Sequence, residues 1–198
     1  MAKNLEDFNI VIVGIGGQGL ITLLKIINKA AQKENLDLVS SELHGLAQRG
    51  GSVEVHIRFG KEIYSPLVKQ GGADLIISLE SQETLRACYY ASKEKAVFLI
   101  NKFFSPIIGA EKNLSFEEIS QNLQKFSKKT IFVDASEICK KEFGTDVISG
   151  IYLLGLTSAQ KILPLKESSL VEAIKEIVPE KFFELNLKAF NLAKSYQF

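Results

Sequence analysis

At 198 residues the chain has room for a single α/β domain, and its 46% hydrophobic content is enough to fill that domain's core. A formal net charge of +1, with Arg49, Arg58 and Arg86 as its arginines and no lysine cluster interleaved with aromatics, removes the electrostatic case for nucleic acid or an anionic membrane. The opening MAKNLEDFNIVIV lacks a signal peptide's apolar core, and no run approaches a membrane span. Cys88 and Cys139 stand apart from each other and from His44 and His56, which excludes CxxC chemistry and zinc sites of ordinary spacing and fits a reducing, cytoplasmic setting.

In chain order, NIVIV (9–13) reads as a buried strand, short, β-branched and closed by glycine. From Gln18 the apolar period lengthens. Leu20, Leu23, Leu24, Ile27 and Ala31 mark one face of a helix ending near Asn35. LDLVS (36–40) is a second strand, so the first forty residues predict a βαβ unit. SELHGLAQRGG (41–51) has no period and three glycines, and is expected to be a loop. SVEVHIRF (52–59) alternates strictly, which predicts a strand with Glu54, His56 and Arg58 on a wet face and His56 solvated.

KEIYSPL is a short excursion with a proline turn. ADLIISL (73–79) is a buried strand, followed by an expected helix over 80–92 and another strand in KAVFLIN (95–101). SFEEISQNLQKF (115–126) opens on a capping box, Ser115 with Glu118. TIFVDA (130–135) predicts a strand, and SEICKKEFG a helix stopped by Gly144. Beyond Asp146 the pattern is helical, broken near Pro164 and Pro179. The expected architecture is a doubly wound, mostly parallel, Rossmann-like sheet with a helical C-terminal third, forming one domain over 1–198.

Gly14, Gly16 and Gly19 have the spacing of a dinucleotide-binding turn between strand and helix, with Gly17 and Gln18 adding to it. Such a turn admits close approach of a ligand, and the first amides of the helix form an anion site. A nicotinamide site also wants an acid at the end of the second strand. That strand closes here on Ser40 and Ser41, with Glu42 arriving late, which counts against NAD. A turn that binds a phosphate and a turn that only packs both remain open.

The second glycine loop gathers Glu42, His44, Gly45, Gln48, Arg49, Gly50 and Gly51. At the carboxyl end of a strand it lies where ligands bind in open α/β sheets, and Arg49 among glycines can present its planar fork to a phosphate or carboxylate.

GIGGQG, then SELHGLAQRGGSVEVHIRFG, then IYSPLVKQGGADLIISLE, running on to ELNLKAFNLAK, resemble the gamma-type subunit or domain of the 2-oxoacid:ferredoxin oxidoreductases, with the nearest likeness in the indolepyruvate branch. The resemblance covers nearly the whole chain, and the pairing of GGQG with HGxxQRGG makes it specific. It implies a hetero-oligomeric enzyme that oxidatively decarboxylates a 2-oxoacid to an acyl-coenzyme A and reduces ferredoxin. Thiamine diphosphate, magnesium and iron–sulfur clusters would sit in a large alpha subunit.

This chain has no cysteine array and no thiamine diphosphate segment, so no metal, cofactor or catalytic residue is expected in it, and alone it would be inactive. The resemblance further implies that Gly14, Gly16, Gly17, Gln18, Gly19, Arg49, Gly50 and Gly51 serve the coenzyme A side of the site, with Glu42, His44, Gly45 and Gln48 at the substrate or the interface. A free-standing NAD-binding redox protein and a non-catalytic assembly subunit are the rival readings. Glu80, Glu83 and Arg86 resemble the family's acid-and-arginine segment, and a surface ion-pair row explains them equally well.

Overall fold

A computed structural model describes residues 7–45, 50–61, 63–106 and 114–196. β1 (Phe8–Ile15) runs through the middle of the molecule and leads through the glycine turn into α1 (Leu20–Lys33). β2 (Asp37–His44) and β3 (Ser52–Gly60) follow, then β4 (Leu75–Ser78), the short α2 (Thr84–Ala87) and β5 (Val97–Asn101). α3 (Phe116–Leu123), β6 (Lys129–Val133) and α4 (Ala135–Phe143) complete the alternating part. The C-terminal third is α5 (Ser149–Ala159), α6 (Glu167–Ile177) and α7 (Glu180–Leu192), as the sequence pattern predicts.

The six strands are ordered β2-β3-β1-β4-β5-β6. β1, β4, β5 and β6 pair in parallel, whereas β3 pairs antiparallel with both β1 and β2. The sheet is therefore mostly parallel but mixed, and the βαβ unit expected over the first forty residues forms as a split one. β1 and β2 run the same way, but β3 lies between them.

Helices cover both faces. Ile10, Ile12, Val55, Ile57 and Ile77 face one layer built from α1, α4, α5, α6 and α7. Val11, Val13, Ile76, Phe98 and Ile100 face the other, with α2, α3 and the 63–73 segment. α1 follows β1 onto the first face and α2 follows β4 onto the second, so the topological switch point lies between β1 and β4.

Two expected boundaries move. Ser41–His44 are strand rather than loop because β3 offers them a complete antiparallel ladder up to His44↔Val53. The helix expected over 80–92 shrinks to Thr84–Ala87. The Glu80 carboxylate and Ser81 are taken up by neighbouring loops, and the carbonyls of Tyr89 and Tyr90 accept from Gly71 and Ala73 instead of continuing a helix. The capping box at Ser115 and Glu118 and the left-handed stop at Gly144 form as expected.

Candidate functional site

The glycine turn is built by its backbone angles and by one amide. Gly17 has φ 103° and Gly19, which caps α1, has φ 82°, a region where a Cβ is strained. Between them Gln18 folds back. Its Oε1 accepts from Ile15 N–H at 2.9 Å and its Nε2 donates to Leu79 O at 3.1 Å, tying the end of β1 to the residue that follows β4. Gly14 makes room for this, since a Cβ there would stand 2.7 Å from Gln18 Oε1. No side chain among the described residues caps the first turn of α1.

The two glycine segments meet. Gly16 N–H donates to Gly51 O at 2.8 Å, and Gly50 N–H donates to Gly16 O at 3.2 Å, extending the β1–β3 ladder past Ile15↔Ser52. The far end of the second loop is thereby fixed against the turn. Among the described residues, a Cβ at Gly17 or at Gly50 would meet nothing within 4 Å, so these leave the backbone open at both places. Gly45 is equally open, and Glu42 and His44 are exposed at the end of β2. Gln48 and Arg49 lie outside the described residues.

Below the turn, residues that follow β4 form an acidic floor. Glu80, only 2% exposed, accepts from Glu83 N–H at 2.9 Å and from Ser105 N–H at 3.0 Å. Burial raises its pKa above the ordinary carboxylate value in spite of these bonds. Glu83 takes the hydroxyl of Ser52 at 2.5 Å and pairs with Arg86 at 3.2 Å. Ile15, Gly50, Glu80, Gln82, Glu83 and Ser105 line a cleft of about 330 Å³ at this switch point. Two acids thus connect the loops after β4 and β5 to the start of β3, a network that helical spacing alone does not disclose.

His56 overturns its sequence reading. It is fully buried, with Nε2 2.9 Å from Glu54 Oε1 and Nδ1 3.2 Å from Val68 N. A backbone N–H can only donate, so Nδ1 accepts and the ring carries its proton on Nε2. Tyr90 OH donates to the same Glu54 oxygen at 2.8 Å, and its ring meets His56 edge-on at 4.8 Å. The face expected to be wet is covered because Val68 and Ser65, which accepts from Arg58, fold across β3. Burial raises the Glu54 pKa, and the hydrogen bonds from His56 and Tyr90 outweigh it, leaving a net lowering.

Among the described residues no group of three or more His, Cys, Asp or Glu could hold a metal ion. Cys88 and Cys139 are buried, and burial pushes their thiols up to about 11 and about 12, so neither is poised as a thiolate ligand. The residues here do not fit an iron–sulfur cluster. No helix among the described residues is long and apolar enough to cross a membrane. A nicotinamide site is also geometrically awkward. With β3 inserted, the end of β2 lies two strand spacings, roughly 10 Å, from β1, too far for a ribose-holding acid beside the turn.

A glycine turn at the switch point of a doubly wound sheet is here locked to a second glycine loop, at the carboxyl ends of β1 and β4, the edge where open α/β sheets bind ligands. The chain belongs to the pyruvate ferredoxin/flavodoxin oxidoreductase family, whose pattern it matches over residues 9–196. It is 40% identical to the indolepyruvate oxidoreductase subunit IorB of Archaeoglobus fulgidus over 93% of this chain and 92% of that one. It is 34% identical to the subunit of the same name in Pyrococcus horikoshii, over 95% of each chain.

The fold is shared with the gamma subunit of a keto/oxoacid ferredoxin oxidoreductase from Geobacter sulfurreducens, at a TM-score of 0.71, 22% identity and coverage of 94% of this chain and 96% of that one. It also matches part of the 2-oxoglutarate:ferredoxin oxidoreductase of Magnetococcus marinus, at a TM-score of 0.73 and 17% identity, covering 96% of this chain but 31% of that one.

Proposed function

We propose that this chain is the small subunit of an arylpyruvate-type 2-oxoacid:ferredoxin oxidoreductase and forms the coenzyme A side of an active site completed by a large partner subunit. The observation that carries the reading is its 40% identity, over 93% of its length, with an indolepyruvate oxidoreductase subunit. The geometry supports it. A turn open at Gly17 and Gly50, beside the uncapped start of α1, suits the backbone approach of a phosphate-bearing ligand. Gly19 and Gly51 hold that turn in shape, and the sequence, rather than the geometry, offers Arg49 as the cation such a ligand wants.

Thiamine diphosphate, magnesium and iron–sulfur clusters belong to the partner in this reading. When bound there, they supply the carbanion and one-electron chemistry. This chain's part is to position coenzyme A and to close the site from one side. Electrons leave to ferredoxin through the complex.

The choice of 2-oxoacid rests with the partner. A relative from Thermococcus kodakarensis, 28% identical over 89% of this chain, is named the common subunit gamma of pyruvate and ketoisovalerate oxidoreductases, a single chain serving two acids. An assembly role without ligand contact has one observation in its favour, the acidic floor at Glu80 and Glu83, which repels phosphate.

Reconstitution with the large subunit tests the proposal. The isolated chain should reduce no ferredoxin, and the complex should do so with indolepyruvate and coenzyme A. Activity of the large subunit alone, unchanged on adding this chain, would refute it.

A further inference from the structure

Beside the glycine loop, on the sheet face away from α1, the chain carries a surface that its own fold leaves open. Leu43, Tyr64, Leu67 and Tyr89 are between 46% and 86% exposed, half of the large exposed hydrophobics among the described residues. Contacts place them together. Leu43 pairs with Glu54 across the β2–β3 ladder, and Glu54 accepts from Tyr90, whose ring meets Tyr89 edge-on at 5.1 Å. Tyr64 and Leu67 flank Ser65 on the segment that Arg58 and His56 hold across β3.

Leu43 borders a recess of about 710 Å³, which Glu42, Glu54, Arg86 and Tyr90 also line and which opens onto His44, Gly45 and Ser52. β2, which borders it, is an edge strand of eight residues without lysine or proline, and its two charged residues, Asp37 and Glu42, are acidic.

We propose that this surface docks the large subunit, which covers Leu43 and Tyr89 with apolar side chains and places one guanidinium or ammonium against Glu54, in the field of Glu42 at the rim. The inference rests on the functional reading above, because the surface is continuous with the edge where the partner completes the site. The charge argues for a cation. Glu54 Oε1 already takes His56 and Tyr90, and among the described residues its second oxygen receives no donor. Glu42, opposite Val55 in the ladder and so based on the other face, is exposed at the rim of the recess and adds negative charge there. The chain's own cation in the recess, Arg86, is drawn to Glu83 at 3.2 Å. Apolar anchors around a buried charge pair, next to aromatic rings, are the arrangement that concentrates binding energy at subunit interfaces.

The test is titration of the chain against the purified large subunit. The parent is compared with the double variant Leu43→Ser/Tyr89→Ser, with Glu42→Lys, and with Phe182→Ser, an exposed residue on α7 that serves as a control. All four should unfold at similar temperatures, since every altered side chain is exposed. The double variant should raise Kd about tenfold or more, and Glu42→Lys should raise Kd and flatten its dependence on salt. Phe182→Ser should bind as the parent does. Parent-like binding by both the double variant and Glu42→Lys would overturn the docking surface while leaving a functional complex, if turnover is normal, in place. No binding by the parent would overturn both.

Discussion

Gln18 donates from Nε2 to the carbonyl of Leu79 at 3.1 Å, so a side chain of the glycine turn fastens the end of β1 to the residue that follows β4. The same amide accepts from Ile15, and the two bonds use up a residue whose place among glycines suggests ligand contact. The GGQG motif is therefore partly a structural device. Its glycines admit the turn and its glutamine locks it.

The lock can be tested by a double-mutant cycle. Gly14→Ala should destabilise the isolated chain by about 1–3 kcal/mol, because the added methyl meets Gln18 Oε1, Leu79 and Leu20. Gln18→Ala should cost about 1–3 kcal/mol by leaving Ile15 N–H and Leu79 O without their partner. Combined, the two should cost less than their sum, since removing the amide relieves the nearest contact. Denaturant unfolding measures all three, and strict additivity would show that Gly14 and Gln18 do not interact.

Gly17 separates stability from function. A Cβ there meets nothing within 4 Å among the described residues but must adopt φ 103°. Gly17→Ala should therefore cost about 1–2 kcal/mol in the isolated chain. The same variant should lower turnover of the assembled enzyme by about tenfold or more if a ligand or partner touches that backbone. Denaturant unfolding of the chain and steady-state kinetics of the complex give the two numbers. A variant that turns over normally would leave the open backbone unused.

Glu54 gives a pH signature. Its pKa in the folded chain lies below its ordinary value of 4.5, so the stability it contributes is fully present above pH 4.5 and drains away as pH falls through the folded value. Glu54→Gln should cost roughly 1–3 kcal/mol at pH 7, and the gap to the parent should narrow below pH 4.5. The raised pKa of Glu80 has the opposite sign, with a penalty that grows as pH rises, but it is common to both proteins and cancels in the difference. Unfolding curves from pH 7 downward check this. A gap that does not change with pH would mean that Glu54 acts by packing alone.

The fold was legible where local pattern and tertiary role agree. The apolar runs of β1, β4 and β5, the capping box of α3 and the glycine stop of α4 each announce themselves within a few residues. What escaped depends on distant partners. Alternation in 52–59 signals a strand, but whether His56 is wet depends on Val68, twelve residues on, folding over it. Ser41–His44 lack periodicity because an edge strand packs little on either side, and only the ladder with β3 makes them strand. The place of β3 between β1 and β2 cannot be read from order along the chain at all.

For the site, the motifs located both glycine segments, but their mutual bonds at Gly16, Gly50 and Gly51 are long-range facts. So is the use of Glu80 and Glu83 as ties between loops rather than as a surface row.

The central claim, that the glycine edge forms the coenzyme A side of a site shared with a large subunit, is tested most directly by the coenzyme A dependence of the reconstituted complex carrying Arg49→Lys beside the parent. The substitution keeps the charge but removes the planar fork that grips a phosphate at two points. The account predicts a KM for coenzyme A raised about tenfold or more, with the KM for the 2-oxoacid and the affinity of the subunits unchanged. An unaltered KM for coenzyme A in a fully assembled complex would contradict it.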